Sequence, residues 1–172
     1  MAVFDGTTIT RLLSGADFGL TSNFIRAIFA ASDGSIWVSG ETQLSHYLPD
    51  GALTVYGSSN LFGYEAAIFD IAEDSSGAIW AATDGAGVYR FADGDWQHFG
   101  DELPPYVNSI TVTRDGTLWF GTSEGAAHFD GSTWERYSMS DGLIHALVFD
   151  VFVDDFGGVW FATYGGASRF YP

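Results

Sequence analysis

Apolar and polar residues alternate along this chain in short runs, and each run stops at a glycine or an Asp-Gly pair. Val107-Asn108-Ser109-Ile110-Thr111-Val112 and Leu118-Trp119-Phe120-Gly121-Thr122 are two such runs, and Asp115-Gly116 and Asp130-Gly131 fall where the chain must reverse. β-Branched and aromatic residues repeating with a period of two, between turn residues, are the chemistry of strands and hairpins. No stretch keeps the apolar spacing of a helix for long enough to form one. In this region the pattern predicts strands at 107–112, 118–122, 126–129 and 133–137.

The same arrangement recurs. Trp37, Trp80, Trp119 and Trp160 are 43, 39 and 41 residues apart, and an aromatic follows each by 10 or 11 residues, at Tyr47, Phe91, Phe129 and Phe170. Beyond it come apolar pairs three apart, Leu53/Tyr56, Trp96/Phe99 and Trp134/Tyr137, and a Leu stands near the start of each copy, at 20, 61, 103 and 143. Four copies of one four-stranded unit follow, at approximately 20–60, 61–102, 103–142 and 143–172, the last joined by 1–19. A unit of about 40 to 45 residues with four strands is a β-propeller blade. The expected fold is therefore all-β, with 1–172 as a single propeller domain.

The two ends are unequal. Phe4-Asp5-Gly6-Thr7-Thr8-Ile9 matches Phe129-Asp130-Gly131-Ser132-Thr133-Trp134, so the chain opens with the third and fourth strands of a blade, and its last copy stops after a third strand near Phe170. The N-terminal strand is expected to complete the C-terminal blade, which would remove an edge open to stray pairing. Four compact blades suit half a circle, so a homodimer closing one eight-bladed ring is expected. A closed four-bladed monomer and an open fibre are the alternatives.

The Trp-centred segments, Asp33-Gly34-Ser35-Ile36-Trp37-Val38-Ser39-Gly40 and Asp115-Gly116-Thr117-Leu118-Trp119-Phe120-Gly121-Thr122 among them, resemble the two-component regulator propeller repeat. The third copy carries most of that pattern. The second spaces its turn as Glu73-Asp74-Ser75-Ser76-Gly77, and the first replaces the final Gly-rich turn with Gly40-Glu41-Thr42-Gln43. The resemblance implies a propeller fold. It also implies a periplasmic or extracellular setting, since such propellers are mostly the sensing regions of large hybrid sensor kinases with many more repeats.

Charge narrows the function. Asp and Glu number 22 against six Arg and no Lys, a net charge of −16. No basic stripe exists to engage a phosphate backbone, so a nucleic-acid partner is not expected. The absence of Lys removes Schiff-base chemistry, and the absence of Cys removes thiolate nucleophiles and zinc–thiolate sites. The longest apolar stretch, 146–153, is too short to cross a bilayer, and the opening residues predict no signal peptide. Much of the acidity belongs to Asp-Gly turns.

Propeller ligands usually meet the face built by the loops entering the first strand (A) of each blade and those joining its second and third strands (B and C). The entering loops supply Phe24, Arg26, Phe62, Tyr64, Glu65, Tyr106 and His145, and the B–C loops supply Glu41, Asp84, Glu124 and Tyr164. Aromatics interleaved with carboxylates suit stacking on sugar rings or capture of a cation. The expected function is a non-enzymatic binding or assembly module with a glycan or other small molecule as ligand. No catalytic residue, metal or cofactor is assigned. One alternative is a glycan-acting hydrolase or lyase working from the same face, with Asp70/Asp150 or Glu65/Glu124 as the carboxylate pair of a hydrolase, or His145 as the histidine of a lyase that acts with a histidine and a metal; another is a purely structural or engineered scaffold. Arg90 and Arg169 precede the strand C aromatic in copies two and four, where copies one and three hold His46 and His128. These four are expected to pair with Asp or backbone between blades.

Overall fold

The computed structural model describes residues 2–4, 6–62 and 66–171, with the side chains of all but 2–4, 9–12 and 62. A hairpin of β1 (Ala2–Phe4) and β2 (Ile9–Leu12) comes first. The first blade is β3 (Ala27–Ala30), β4 (Ile36–Ser39), β5 (Gln43–Tyr47) and β6 (Leu53–Gly57). A short helix, α1 (Ser58–Phe62), leads to the second blade: β7 (Ile68–Glu73), β8 (Ile79–Thr83), β9 (Val88–Ala92) and β10 (Asp95–His98). The third is β11 (Val107–Val112), β12 (Leu118–Thr122), β13 (Gly125–Phe129) and β14 (Trp134–Tyr137). The fourth has three strands, β15 (Val148–Val153), β16 (Val159–Thr163) and β17 (Gly166–Phe170). The sheets are antiparallel, and no described helix is long and apolar enough to cross a membrane.

Contacts divide the chain into two compact units, Met1–Ile68 and Phe69–Pro172. Within the second, the core lies between blades. One cluster joins Trp80, Ala82 and Val88 of the second blade to Ile110, Leu118, Phe120 and Phe129 of the third. Another joins Trp119 and Ala126 of the third to Val148, Val151 and Phe161 of the fourth. Strand alternation explains this: a blade buried on both faces needs apolar residues at successive positions of its inner strands. In the first unit Phe18, Leu20 and Val38 form a smaller cluster, and Ser39 donates from Oγ to the Ile68 carbonyl at 3.0 Å.

The strands of the third blade match the sequence pattern to within a residue. The connections hold more structure than the pattern showed, since 3-10 turns lie at Gly15–Phe18 and Met139–Asp141, where the pattern predicts no element. Asp17 accepts the Ser14 backbone N–H at 2.7 Å, and Asp141 accepts that of Ser138 at 2.9 Å, which starts each turn.

Candidate ligand-binding site

The Thr that ends strand B in blades two, three and four explains how the loop face is held. Thr83, Thr122 and Thr163 donate from Oγ1 to the carbonyls of Gly87, Gly125 and Gly166 at 2.8, 2.8 and 2.9 Å. Each hydroxyl also accepts a backbone N–H from inside its turn: that of Ala86, Glu124 or Gly165. The turn is thereby closed by a side chain that is itself buried. The first blade has Gly40 at this position. There Gly40 N–H bonds the Gln43 carbonyl at 2.8 Å, while Gln43 Oε1 takes the N–H and hydroxyl of Thr21.

On these turns sit the acidic and aromatic candidates. Four residues after the strand B Trp come Glu41, Asp84, Ser123 and Tyr164, with Glu124 one further on. The loops entering strand A are stapled to them in the second unit. Asp84 bridges Tyr106, Gly85 and Gly87 donate to the Pro105 carbonyl, Ser123 N–H donates to the Tyr106 carbonyl at 3.1 Å, and Tyr164 N–H donates to the Leu147 carbonyl at 3.0 Å. This backbone stitching leaves the side chains of Tyr106 and Tyr164 exposed.

His145 Nδ1 accepts the Leu147 N–H at 3.0 Å, which puts the proton of the neutral ring on Nε2, and its ring lies 5.4 Å from that of Tyr164. Phe149 reaches the same phenol at 6.5 Å. The second unit therefore brings Asp84, Tyr106 and Glu124 into one stapled loop pair and His145 together with Tyr164. In the first unit Arg26 lies over the exposed Phe24 ring at 4.9 Å, and Glu41 is exposed on its turn. Tyr64, Glu65 and the side chain of Phe62 lie outside the described residues. Among the described residues no three His, Asp or Glu side chains gather as a metal site.

Asp70 and Asp150 hold corresponding places on β7 and β15. Burial pushes the Asp70 carboxyl above the usual range and the charge of Asp150 adds to this, while N–H bonds from Ile110 (2.8 Å) and Ile71 (2.9 Å) oppose it. Both oxygens of Asp70 are thus taken up by backbone.

At the opposite ends of the strands, between blades two and three, lies an open groove of about 640 Å³ that the sequence pattern did not reveal. Asp74, Glu102, Asp115 and Asp130 line it together with the guanidinium of Arg90 and the Trp134 ring. Asp74, Asp115 and Asp130 read in the sequence as turn residues, and only the approach of two blades makes them one surface with Arg90 and Trp134.

Residues 19–42 and 102–124 match the two-component regulator propeller model. Two of the chain's four repeats thus match that model in part. No curated protein matches this chain. The chain is similar in fold to the extracellular domain of BT3049 of B. thetaiotaomicron, described as a hybrid two component system, at 23% identity and a TM-score of 0.85 over 99% of this chain and 25% of that one. The corresponding domain of BT4673 of the same organism follows at 20% identity and a TM-score of 0.73, over 91% and 22%. Virginiamycin B lyase of Staphylococcus aureus, solved with quinupristin, gives 18% and 0.65 over 86% and 55%. The chain thus spans about a quarter of the two extracellular domains. In these repeats the Trp and the residue before the strand C aromatic are direct cross-strand neighbours: Trp37 with His46, Trp80 with Arg90, Trp119 with His128 and Trp160 with Arg169. The expected pairing between blades therefore occurs inside each blade. Arg90 bonds Asp74 at 3.0 Å and Arg169 bonds Asp154, whereas His46 stacks on Trp37 at 3.9 Å and His128 lies 4.7 Å from Trp119.

Proposed function

We propose that this chain is a non-enzymatic propeller module that binds a small ligand, carbohydrate being the class its loop face suits, as part of a sensing or assembly domain. The observation that carries the reading is the pair of exposed phenols, Tyr106 and Tyr164, held on stapled backbone beside Asp84, Glu124 and His145. A flat ring for stacking and carboxylates for hydroxyl groups, fixed before the ligand arrives, are what sugar recognition needs. The fold likeness to extracellular domains of two component systems supports a sensing role.

In the same reading the four blades are half of an eight-bladed ring made by two copies, with β2 taking the open edge of β17. β2 has the register of a fourth strand, since Phe4 pairs with Ile9 as Phe129 pairs with Trp134. Its partner edge is held by β1, so completing the last blade requires β2 to exchange β1 for β17.

A hydrolase or lyase is the second reading, favoured by the raised pKa of Asp70 beside Asp150 and by the fold likeness to the lyase. Against it stands the use of both Asp70 oxygens as backbone acceptors. A glycan array probed with the purified chain tests the first reading. Binding is expected to fall at least about tenfold in Tyr106→Ala or Tyr164→Ala, in line with the loss of one stacked ring. An array with no positive glycan sinks the carbohydrate assignment, and turnover of a bound glycan sinks the non-enzymatic one.

A further inference from the structure

The second unit contains two blade-to-blade contacts built to one plan. Asp70, third residue of β7, accepts the Ile110 N–H from the next blade. Trp80 packs on Phe120 and Phe129 at 5.8 and 5.7 Å, and Trp119 repeats this on Phe161 and Phe170 at 5.5 and 5.6 Å. Asn108 and Thr111 donate to the Val148 and Val151 carbonyls of the following blade.

The fourth blade presents the same plan to solvent. Trp37, Trp80 and Trp119 are each 1% exposed, and Trp160 is 38% exposed. Phe152 stands opposite Trp160 as Thr111 stands opposite Trp119, and it is exposed. Asp150, third residue of β15, accepts its neighbour's Val151 N–H at 2.9 Å as Asp70 accepts that of Ile71. No described residue is bonded to its other oxygen, the counterpart of the one that holds Ile110.

The first blade presents part of the matching half; Val38, which stands where Phe120 does, is covered by Phe18 and Leu20 of its own chain, and Phe18 also meets the Tyr47 ring edge-on at 6.3 Å. Ile28 opposes Val38 as Ile110 opposes Phe120, yet Ile28 is 46% exposed where Ile110 is 6%. Tyr47 and Leu53, which pair as Phe129 and Trp134 do, are exposed as well. The shared register leaves the Ile28 N–H off the ladder with β4, free to meet a carboxylate as Ile110 does.

We propose that the outer face of the fourth blade is a docking surface for the first blade of a second copy of this chain, two such contacts closing a head-to-tail dimer. Asp150 accepts the Ile28 N–H of the second copy as Asp70 accepts that of Ile110, and Trp160 and Phe152 cover its Ile28 and Tyr47, repeating the Trp packing common to both contacts already present between blades. This rests on the reading that the four blades are part of a larger ring.

Sedimentation equilibrium of the 172-residue chain at micromolar concentrations tests it, and the expected mass is that of two chains. Trp160→Glu and Ile28→Glu, both at exposed positions and checked for fold by circular dichroism, are each expected to weaken pairing by about 30-fold or more, and Asp150→Ala by about tenfold. Each Glu variant keeps one good face, so mixing the two restores association through the intact pair of faces. A wild-type chain that stays a monomer overturns the proposal. So does a dimer that survives both Glu variants, or a mixture that does not associate. A monomer that still binds a glycan sinks the docking surface alone, and a dimer that binds none sinks the ligand reading alone.

Discussion

Asp74 shows how one carboxylate organises a blade. It accepts the N–H groups of Ser76 and Ala78, the Trp80 indole N–H at 2.8 Å and the Arg90 guanidinium. Against burial, which pushes the carboxyl up, the bonds from Ser76, Trp80 and Arg90 hold it down at about 2. An unfolded Asp titrates near 3.9, so the stability Asp74 contributes is present above about pH 4 and is lost as pH falls toward 2. Asp74→Ala is expected to cost about 1–3 kcal/mol by leaving a buried indole N–H without its acceptor. Urea unfolding at pH 7 and pH 3 checks both, because the gap between variant and wild type should shrink at the lower pH. Asp70 has the opposite sign. Its raised pKa means that it favours folding below about pH 4 and costs stability as pH rises through its folded value. Asp70→Asn keeps one acceptor for the Ile110 N–H and removes the buried charge, so it should flatten that fall above pH 4. Asp70→Ala should be the less stable of the two at neutral pH.

Elements were the most legible scale. Turn residues and a period of two placed the strands of the third blade almost to the residue, because glycine and Asp-Gly act locally and strand alternation needs no knowledge of partners. The 3-10 turns escaped because Ser14-to-Asp17 and Ser138-to-Asp141 capping is too short to leave a hydrophobic period. The pairing of Arg90 and Arg169 was misread for a different reason: a spacing of 9 or 10 from Trp becomes a direct neighbour only once the register of strands B and C is known. At this scale Trp119→Ala should cost about 3–5 kcal/mol, as for a fully buried ring, whereas Trp160→Ala should cost the single chain much less. Gly125 offers a second comparison. Its φ is +129° and a Cβ there would sit 2.1 Å from the Tyr137 carbonyl oxygen, so Gly125→Ala should break the turn that carries Glu124. Thermal denaturation of the three variants ranks them.

For the whole molecule, the repeat count was readable and the set of exposed side chains was not. Which aromatics stay exposed depends on what the neighbouring blade covers, and Trp119 and Trp160 hold the same place in the repeat although one is buried and the other exposed. The groove beside Arg90 was invisible for the same reason. The charge of −16 has a consequence at this scale, since two copies brought together repel through solvent. Self-association should therefore tighten as salt is raised from low to moderate ionic strength, which sedimentation in a salt series would detect.

The position four residues after each strand B Trp can be seen as one backbone address written four times. It holds a carboxylate at Glu41, another at Asp84, a hydroxyl at Ser123 and a phenol at Tyr164. In three of the four copies a buried threonine closes the turn from behind, so the occupant contributes little to holding it. Chemistry at that address can then drift one residue at a time while the scaffold stays the same, and a family of such chains could differ in what they recognise with few other changes.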